Sequence, residues 1–435
     1  VAAPLACAAR AVLGGLKGVS SFSGFDELGR ELLSRGPIGR RKVRVFGMTD
    51  ERTTALKTIM RQLFAGFREA GCEALLLEED GGPDQMALRV PALLRFKPDL
   101  LVYPIRWPDY MIGLYAKMLR VPAVAYLTDA PWIFLNKGRA PERDTQIVMS
   151  PEPQYLEWVE QTFEMKTDGL LPLAASYPYQ PIPDHEIKHE AVFIGNVFDD
   201  GGCFSNLPRK TLEQIFELHW QMRADDATGD VEAFSREVRR LAGWASEPAL
   251  PHVIWGTVYR LSAMEALAGL PIAIFGNDAW GRLLRGGPLE GAWRGWLEPK
   301  QELPSVMARA LVNINLTSLP NWYSGNMRTW DAAGLGTCVV HDAKRDVMKS
   351  FSPTRPDSEC MVFFRDRSEL RNQIASLLAD PKRARAIGAR AAHVVANGHT
   401  WRHRAEAILE VVRRRFDDFT LCIEPDYLAL LKGEA

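Results

Sequence analysis

Residues 172–187, PLAASYPYQPIPDHEI, divide this chain in two. Prolines at 172, 178, 181 and 183 remove backbone donors and fix φ, so neither a helix interior nor a central strand fits there. On both sides, apolar runs of strand length alternate with segments of helical spacing. Before the break come KVRVFGM (42–48), TALKTIMRQLFAGFREAG (54–71), EALLLEE (73–79), a helical stretch from Met86 to Phe96, DLLVYPI (99–105), a short helix near Tyr110 to Leu119, VPAVAYLT (121–128) and TQIVMS (145–150). After it come HEAVFIGN (189–196), helices over 209–222, 231–243 and 253–268, LPIAIFGN (270–277), a helix from Leu303 to Ala310, the strand leading to Thr317, MVFF (361–364) and three helices within 368–416. Such alternation implies parallel strands with crossover helices on both faces. At 435 residues the chain exceeds one ordinary core. The expectation is therefore two doubly wound α/β halves joined by the Pro-rich linker and closed by a helical tail. Ligands of such sheets gather beyond the carboxyl ends of the strands.

Charge and cysteine usage narrow the function. A formal net charge of −1 gives no electrostatic footprint for nucleic acid or an acidic membrane. No apolar run approaches the roughly 20 residues that span a bilayer. Cys7, Cys72, Cys203, Cys338, Cys360 and Cys422 are scattered, without a CxxC pair or histidines at ligand spacing. That pattern points away from a disulfide framework and from structural zinc. A cytoplasmic location is expected, with VAAPLACAARAVLGGLKG read as a trimmed start rather than a targeting segment.

The segment NINLTSLPNWYSGNMRTWDAAGLGTCVV (313–340) carries the most chemistry. It reads as strand, loop, helix and strand. A helix starting near Gly325 aims unpaired N–H groups and the positive end of its dipole back at the loop. Arg328 adds a planar fork that suits a phosphate. Asp331 shares its helical face and offers an acceptor for ribose hydroxyls. The alternative is an ordinary surface ion pair between Arg328 and Asp331.

The second half resembles group 1 glycosyltransferases, and within them the spore-maturation (CgeB-like) branch. The matching residues run in order: LPLAAS (171–176), AVFIGN (191–196), IFGNDAW (274–280), ARALVNINLT (308–317), NMRTWDAAGLGTCVVHD (326–342), SELRNQIASLLADPKRARAIGARAAHVV (368–395) and HTWRHRAEAIL (399–409). The resemblance covers about residues 170 to 410; in the first half only TDAPW (128–132) looks like the family's acidic-Pro-aromatic turn. It implies the GT-B fold: two Rossmann-like domains facing a cleft, with a C-terminal helical tail crossing back. The corresponding bounds are an extension at 1–40, an acceptor domain at 41–175, a nucleotide-sugar donor domain at 189–398 and a tail at 399–435.

Carried over residue by residue, the resemblance assigns donor contacts to Gly195, Arg209, Lys210, Gly276, Trp280, Asn326, Arg328 and Asp331. Tyr323 stands where the family usually has an acidic residue at the donor sugar. For Arg209 and Lys210 the plain alternative is helix-end solvation, and for Trp280 it is a core position. Asp129 is the expected activating carboxylate, with Asp50 and Asp109 on neighbouring strand-end loops; Asp before Pro131 is also ordinary turn chemistry. His399 and His403 have the spacing of two metal ligands on one helix face, but a capped, packed helix start explains the block better. The implied reaction is sugar transfer from a nucleotide-sugar donor, a uridine diphosphate sugar among the options, to an unknown acceptor without a metal or other cofactor. An epimerase or hydrolase of the same layout, or a non-catalytic nucleotide-sugar-binding subunit, stands beside it.

Overall fold

The computed structural model describes residues 42–49, 54–78, 92–104, 116, 121–134, 145–224, 230–317, 321–352 and 358–416. The expected 1–40 extension, Asp50, Asp109 and nearly all of the helix expected at 110–119 lie outside the described residues.

The chain forms two compact units, one holding the residues up to Leu171 together with those from Trp401 onward, the other Pro172–Thr400. The first unit contains β1 (Arg44–Thr49), α1 (Thr54–Glu69), β2 (Glu73–Glu78), β3 (Leu100–Pro104), β4 (Ala123–Tyr126), α2 (Pro131–Phe134), β5 (Gln146–Ser150), α3 (Pro153–Phe163) and β6 (Gly169–Leu170). Its sheet is parallel, in the order β2-β1-β3-β4-β5-β6. Strands β4 and β5 are buried at every residue, as strands covered on both faces must be. Residue-level reading passes over α3, which starts with Pro153 at its first turn and buries Tyr155, Leu156, Val159 and Phe163, and over the two-residue β6, which is too short to show a period.

The second unit contains β7 (His189–Ile194), α4 (Arg209–Ala224), α5 (Val231–Ala242), α6 (Pro251–Glu265), β8 (Ile272–Phe275), α7 (Ala279–Leu283), α8 (Glu302–Ala308), β9 (Ala310–Asn315), α9 (Met327–Gly334), β10 (Cys338–Asp342), α10 (Arg345–Phe351), β11 (Val362–Phe364), α11 (Arg367–Ala379) and α12 (Pro381–Gly398). All its strand pairs are parallel, in the order β11-β10-β9-β7-β8. The order reverses at β7, whose neighbours are β8 and β9. The crevice beyond the ends of β7 and β9 is therefore the topological switch point. Helix α8 stops at Ala308, two residues before the expected end, because β9 already begins at Ala310.

The last described helix, α13 (Trp401–Arg415), packs on α1 within the first unit. Gly66 makes this approach: a Cβ there would lie 2.3 Å from the Trp401 carbonyl oxygen. Arg415 closes the contact on Asp168 at 2.8 Å. Among the described residues, no helix is long and apolar enough to cross a membrane.

Candidate functional site

At the switch point of the second unit, β7 runs into Gly195-Asn196 and β8 into Gly276-Asn277. These two turns clasp each other. The Gly195 N–H donates to Phe275 O at 2.9 Å, Asn277 N–H to Asn196 Oδ1 at 3.1 Å, and Asn277 Nδ2 to Val197 O at 2.7 Å. Gly276 is required for this contact, since a Cβ on it would sit 2.1 Å from Gly195 O. Trp280 is fully buried against Phe193 and donates its Nε1–H to Gly195 O at 2.7 Å. Trp280 thus occupies the core position that stood beside its donor-contact reading, and it fixes the Gly195 turn from behind.

Helix α6 buries ten uncharged residues, yet carries Arg260 in its third turn. Arg260 Nη1 donates to Asn196 O, while its Nε is buried without a partner. Arg328 lies in the first turn of α9 and makes no hydrogen bond or ion pair with a described residue. As whole residues Arg260 and Arg328 are half-buried. Burial, and next the charge of Arg328, hold Arg260 down to about 9 from its ordinary 12.5. Burial also lowers Arg328, with Asp331 opposing. Two crowded cations with no carboxylate in ion-pair contact, Asp342 and Asp331 acting on them only at longer range, have the chemistry to receive an anion.

The mounting of Arg328 is rigid. Asn326 caps α9, its side chain accepting from Thr329 N–H at 3.3 Å and donating to Asn315 Oδ1 at 3.2 Å. Asn315 donates to Thr329 Oγ1 at 2.6 Å, and that hydroxyl also bonds His341 Nε2 at 2.8 Å. Asp342, at the end of β10, accepts from Thr317 N–H at 3.1 Å and lies 3.4 Å from Arg223 and 3.7 Å from Lys344. Against the cost of burial, Lys344, His341 and Arg223 hold its carboxyl well below the usual range.

Asp331 is 3% exposed and accepts from Ser176 N–H at 2.7 Å. Burial raises its carboxyl to about 7, with Ser176 and then Arg328 opposing. The alternative of a close surface pair with Arg328 is not realised; the carboxyl instead anchors the stretch entering the second unit. Arg209 is also committed elsewhere, to Glu265 at 2.6 Å and Glu213 at 3.0 Å, and Lys210 is exposed on the same turn. The cation whose charge reaches Arg328 is Arg260. His399 stacks on Trp330 with ring centroids 4.5 Å apart, which is a packing role. Among the described residues, no three His, Cys, Asp or Glu side chains cluster to hold a metal.

In the first unit, Asp129 follows β4 at the carboxyl end of the sheet. Its residue is exposed, yet the protein packed around its carboxyl raises the pKa. Trp132 stands beside it, 42% exposed and held edge-on by Tyr155 at 5.4 Å and Trp158 at 6.3 Å.

Residues 259–410 match a family model described as glycosyl transferase-like. The matched stretch contains Arg260, Asn326, Arg328 and Asp331. No curated protein matches the chain in sequence. Among solved structures, sucrose-phosphate synthase from Thermosynechococcus elongatus is similar over 86% of this chain and 100% of its own, with 13% identity and a TM-score of 0.51. The Anabaena protein HepE in complex with UDP-glucose is similar over 85% of this chain and 99% of its own, with 11% identity and a TM-score of 0.51. The fold is GT-B. In this GT-B chain, Arg260 and Asp342 are the site residues that sequence reading misses. Each had a signal: Arg260 is the only Lys, Arg, Asp or Glu between Pro251 and Met264, and Asp342 ends the apolar run CVVHD.

Proposed function

We propose that this protein transfers a glycosyl group from a nucleotide-diphosphate sugar to an acceptor. The observation that carries the reading is the Arg260–Arg328 pair, crowded and without a close carboxylate, at the switch point of a GT-B sheet. Charge builds on the diphosphate as the sugar's C1–O bond breaks. Two guanidinium groups and the first-turn N–H groups of α9 stabilise that charge without reorganising. Gly195 lets the diphosphate approach the backbone, with Gly276 and Trp280 holding its turn. Asp331, oriented by Ser176, is the ribose acceptor on this reading.

Asp129 is the proposed base for the acceptor. A carboxyl raised above its ordinary range is a better proton acceptor at neutral pH than an ordinary aspartate. The HT-aromatic-x-HR block at 399–404 supports a CgeB-like reading, and the HepE complex makes a uridine diphosphate sugar the first donor to test.

The test is an assay of nucleoside diphosphate release from UDP-, GDP-, ADP- and dTDP-sugars, with and without a panel of sugar, peptide and lipid acceptors. Acceptor-dependent release with a glycosylated product is the expected result. Equal release without acceptor would make the protein a hydrolase, and tight donor binding with no release in any combination would make it a binding subunit.

A further inference from the structure

A second concavity lined by cations lies on the same unit; it shares the β8 end with Gly276 through Phe275, but Arg260, Asn326, Arg328 and Asp331 are not among its lining residues. A groove of about 360 Å³ is lined by Lys188, His189, Phe275, Arg294, Ser305, Val306 and Arg309. Its walls are fixed by backbone bonds. Lys188 and His189 N–H groups donate to Arg309 O at 2.9 and 3.3 Å, and Arg294 N–H donates to Ile274 O at 2.9 Å. The floor is apolar: Phe275 belongs to a small cluster with Val192, Leu297 and Ala310, and Val306 packs on it. His189 meets Phe275 edge-on with centroids 5.6 Å apart.

The charge in this groove is unbalanced. Arg309 is turned by Glu186 at 3.1 Å and donates to Ser305 Oγ at 3.0 Å, leaving the serine's own proton to donate. Lys188 and Arg294 make no ion pair with a described residue, and no acidic side chain is among the lining residues. Burial, then Arg294 and Lys188, lower the His189 pKa, which is the response of an imidazole among uncompensated cations. A planar guanidinium, an ammonium and a hydroxyl around one concavity match the tetrahedral oxygens of a phosphate. The apolar floor matches a carbon skeleton attached to it. The volume lies at the lower end of small-molecule pockets, about 300–1,000 Å³, so a polymer is not the natural occupant.

We propose that this groove binds a small phosphorylated molecule, independently of the donor diphosphate. The proposal does not rest on the glycosyltransferase reading, and the test keeps the two apart. The intact protein, its Arg328→Ala variant and a Lys188→Gln, Arg294→Gln double variant are titrated calorimetrically with glucose 6-phosphate, inorganic pyrophosphate and UDP. His189 is followed by NMR. Glucose 6-phosphate should bind the wild type and Arg328→Ala alike and lose at least about tenfold in affinity in the double variant. UDP affinity should change less than about twofold in the double variant, and bound sugar phosphate should raise the His189 pKa. Three results would overturn the proposal: no binding of glucose 6-phosphate to the wild type, unchanged sugar-phosphate binding in the double variant, or its loss in Arg328→Ala.

Discussion

Replacing Asp331 with Asn should stabilise this protein in alkaline solution, although it removes a charged residue from a proposed binding site. The carboxyl is 3% exposed and its pKa is raised to about 7 from an ordinary 3.8. The folded chain thus holds a proton that the unfolded chain releases. Stability from that proton is fully present below about pH 4 and is lost as pH rises through about 7. At about 1.4 kcal/mol per pH unit, the rise amounts to about 4 kcal/mol. Asn keeps the Oδ1 acceptor for the Ser176 N–H, 2.7 Å away in the wild type, and cannot ionise. The assay is thermal unfolding of both proteins from pH 4 to pH 9, followed on the transition of the second unit. For a domain of this size about 2–4 °C accompanies each kcal/mol, so the Asn variant should melt roughly 8–16 °C higher at pH 9 and show little difference at pH 4. A wild-type melting temperature that runs parallel to that of the variant across this range would refute the reasoning. Saturating donor should narrow the gap at pH 9 if ribose hydroxyls donate to the ionised carboxylate.

Two further substitutions separate chemistry from support. Asp129→Asn should lower transfer by about 10²–10⁴-fold, the range for a positioned general base, while calorimetric donor affinity stays within a factor of two; because burial raises the Asp129 pKa, the acidic limb of the wild-type rate profile should disappear in the variant. Trp280→Phe keeps the ring against Phe193 but leaves Gly195 O without its 2.7 Å donor, and should cost about 1–3 kcal/mol, read as a lower unfolding temperature together with a higher donor KM.

The strands were legible because a parallel strand covered on both faces must be largely apolar, and AVAY and IAIF show that directly. The break between halves was legible from prolines that fit no regular element. The loop and helix presenting Arg328 could be read from local chemistry, since Asn326 and the α9 turn are neighbours in sequence. The partners of the other residues could not. Arg209 meets Glu265 across 56 positions and Asp331 meets Ser176 across 155, and no local pattern encodes such pairs. Trp280 follows a Gly-Asn turn in a way that suits a ligand platform or a core plug equally; only its burial and its bond to Gly195 decide. Arg260 sits inside the helix expected over 253–268, where one charge among buried side chains is the clue to follow.

The central claim is that Arg260 and Arg328 hold a diphosphate, and the direct measurement compares the best-binding nucleoside diphosphate with its bare nucleoside. Each ligand is titrated into wild type, Arg260→Ala and Arg328→Ala. A hydrogen bond to a charged group is worth about 1.5–3 kcal/mol, so each variant should bind the diphosphate about 10- to 150-fold more weakly and the nucleoside within about threefold of wild type. Equal losses for both ligands would contradict the account and assign the two arginines to the fold.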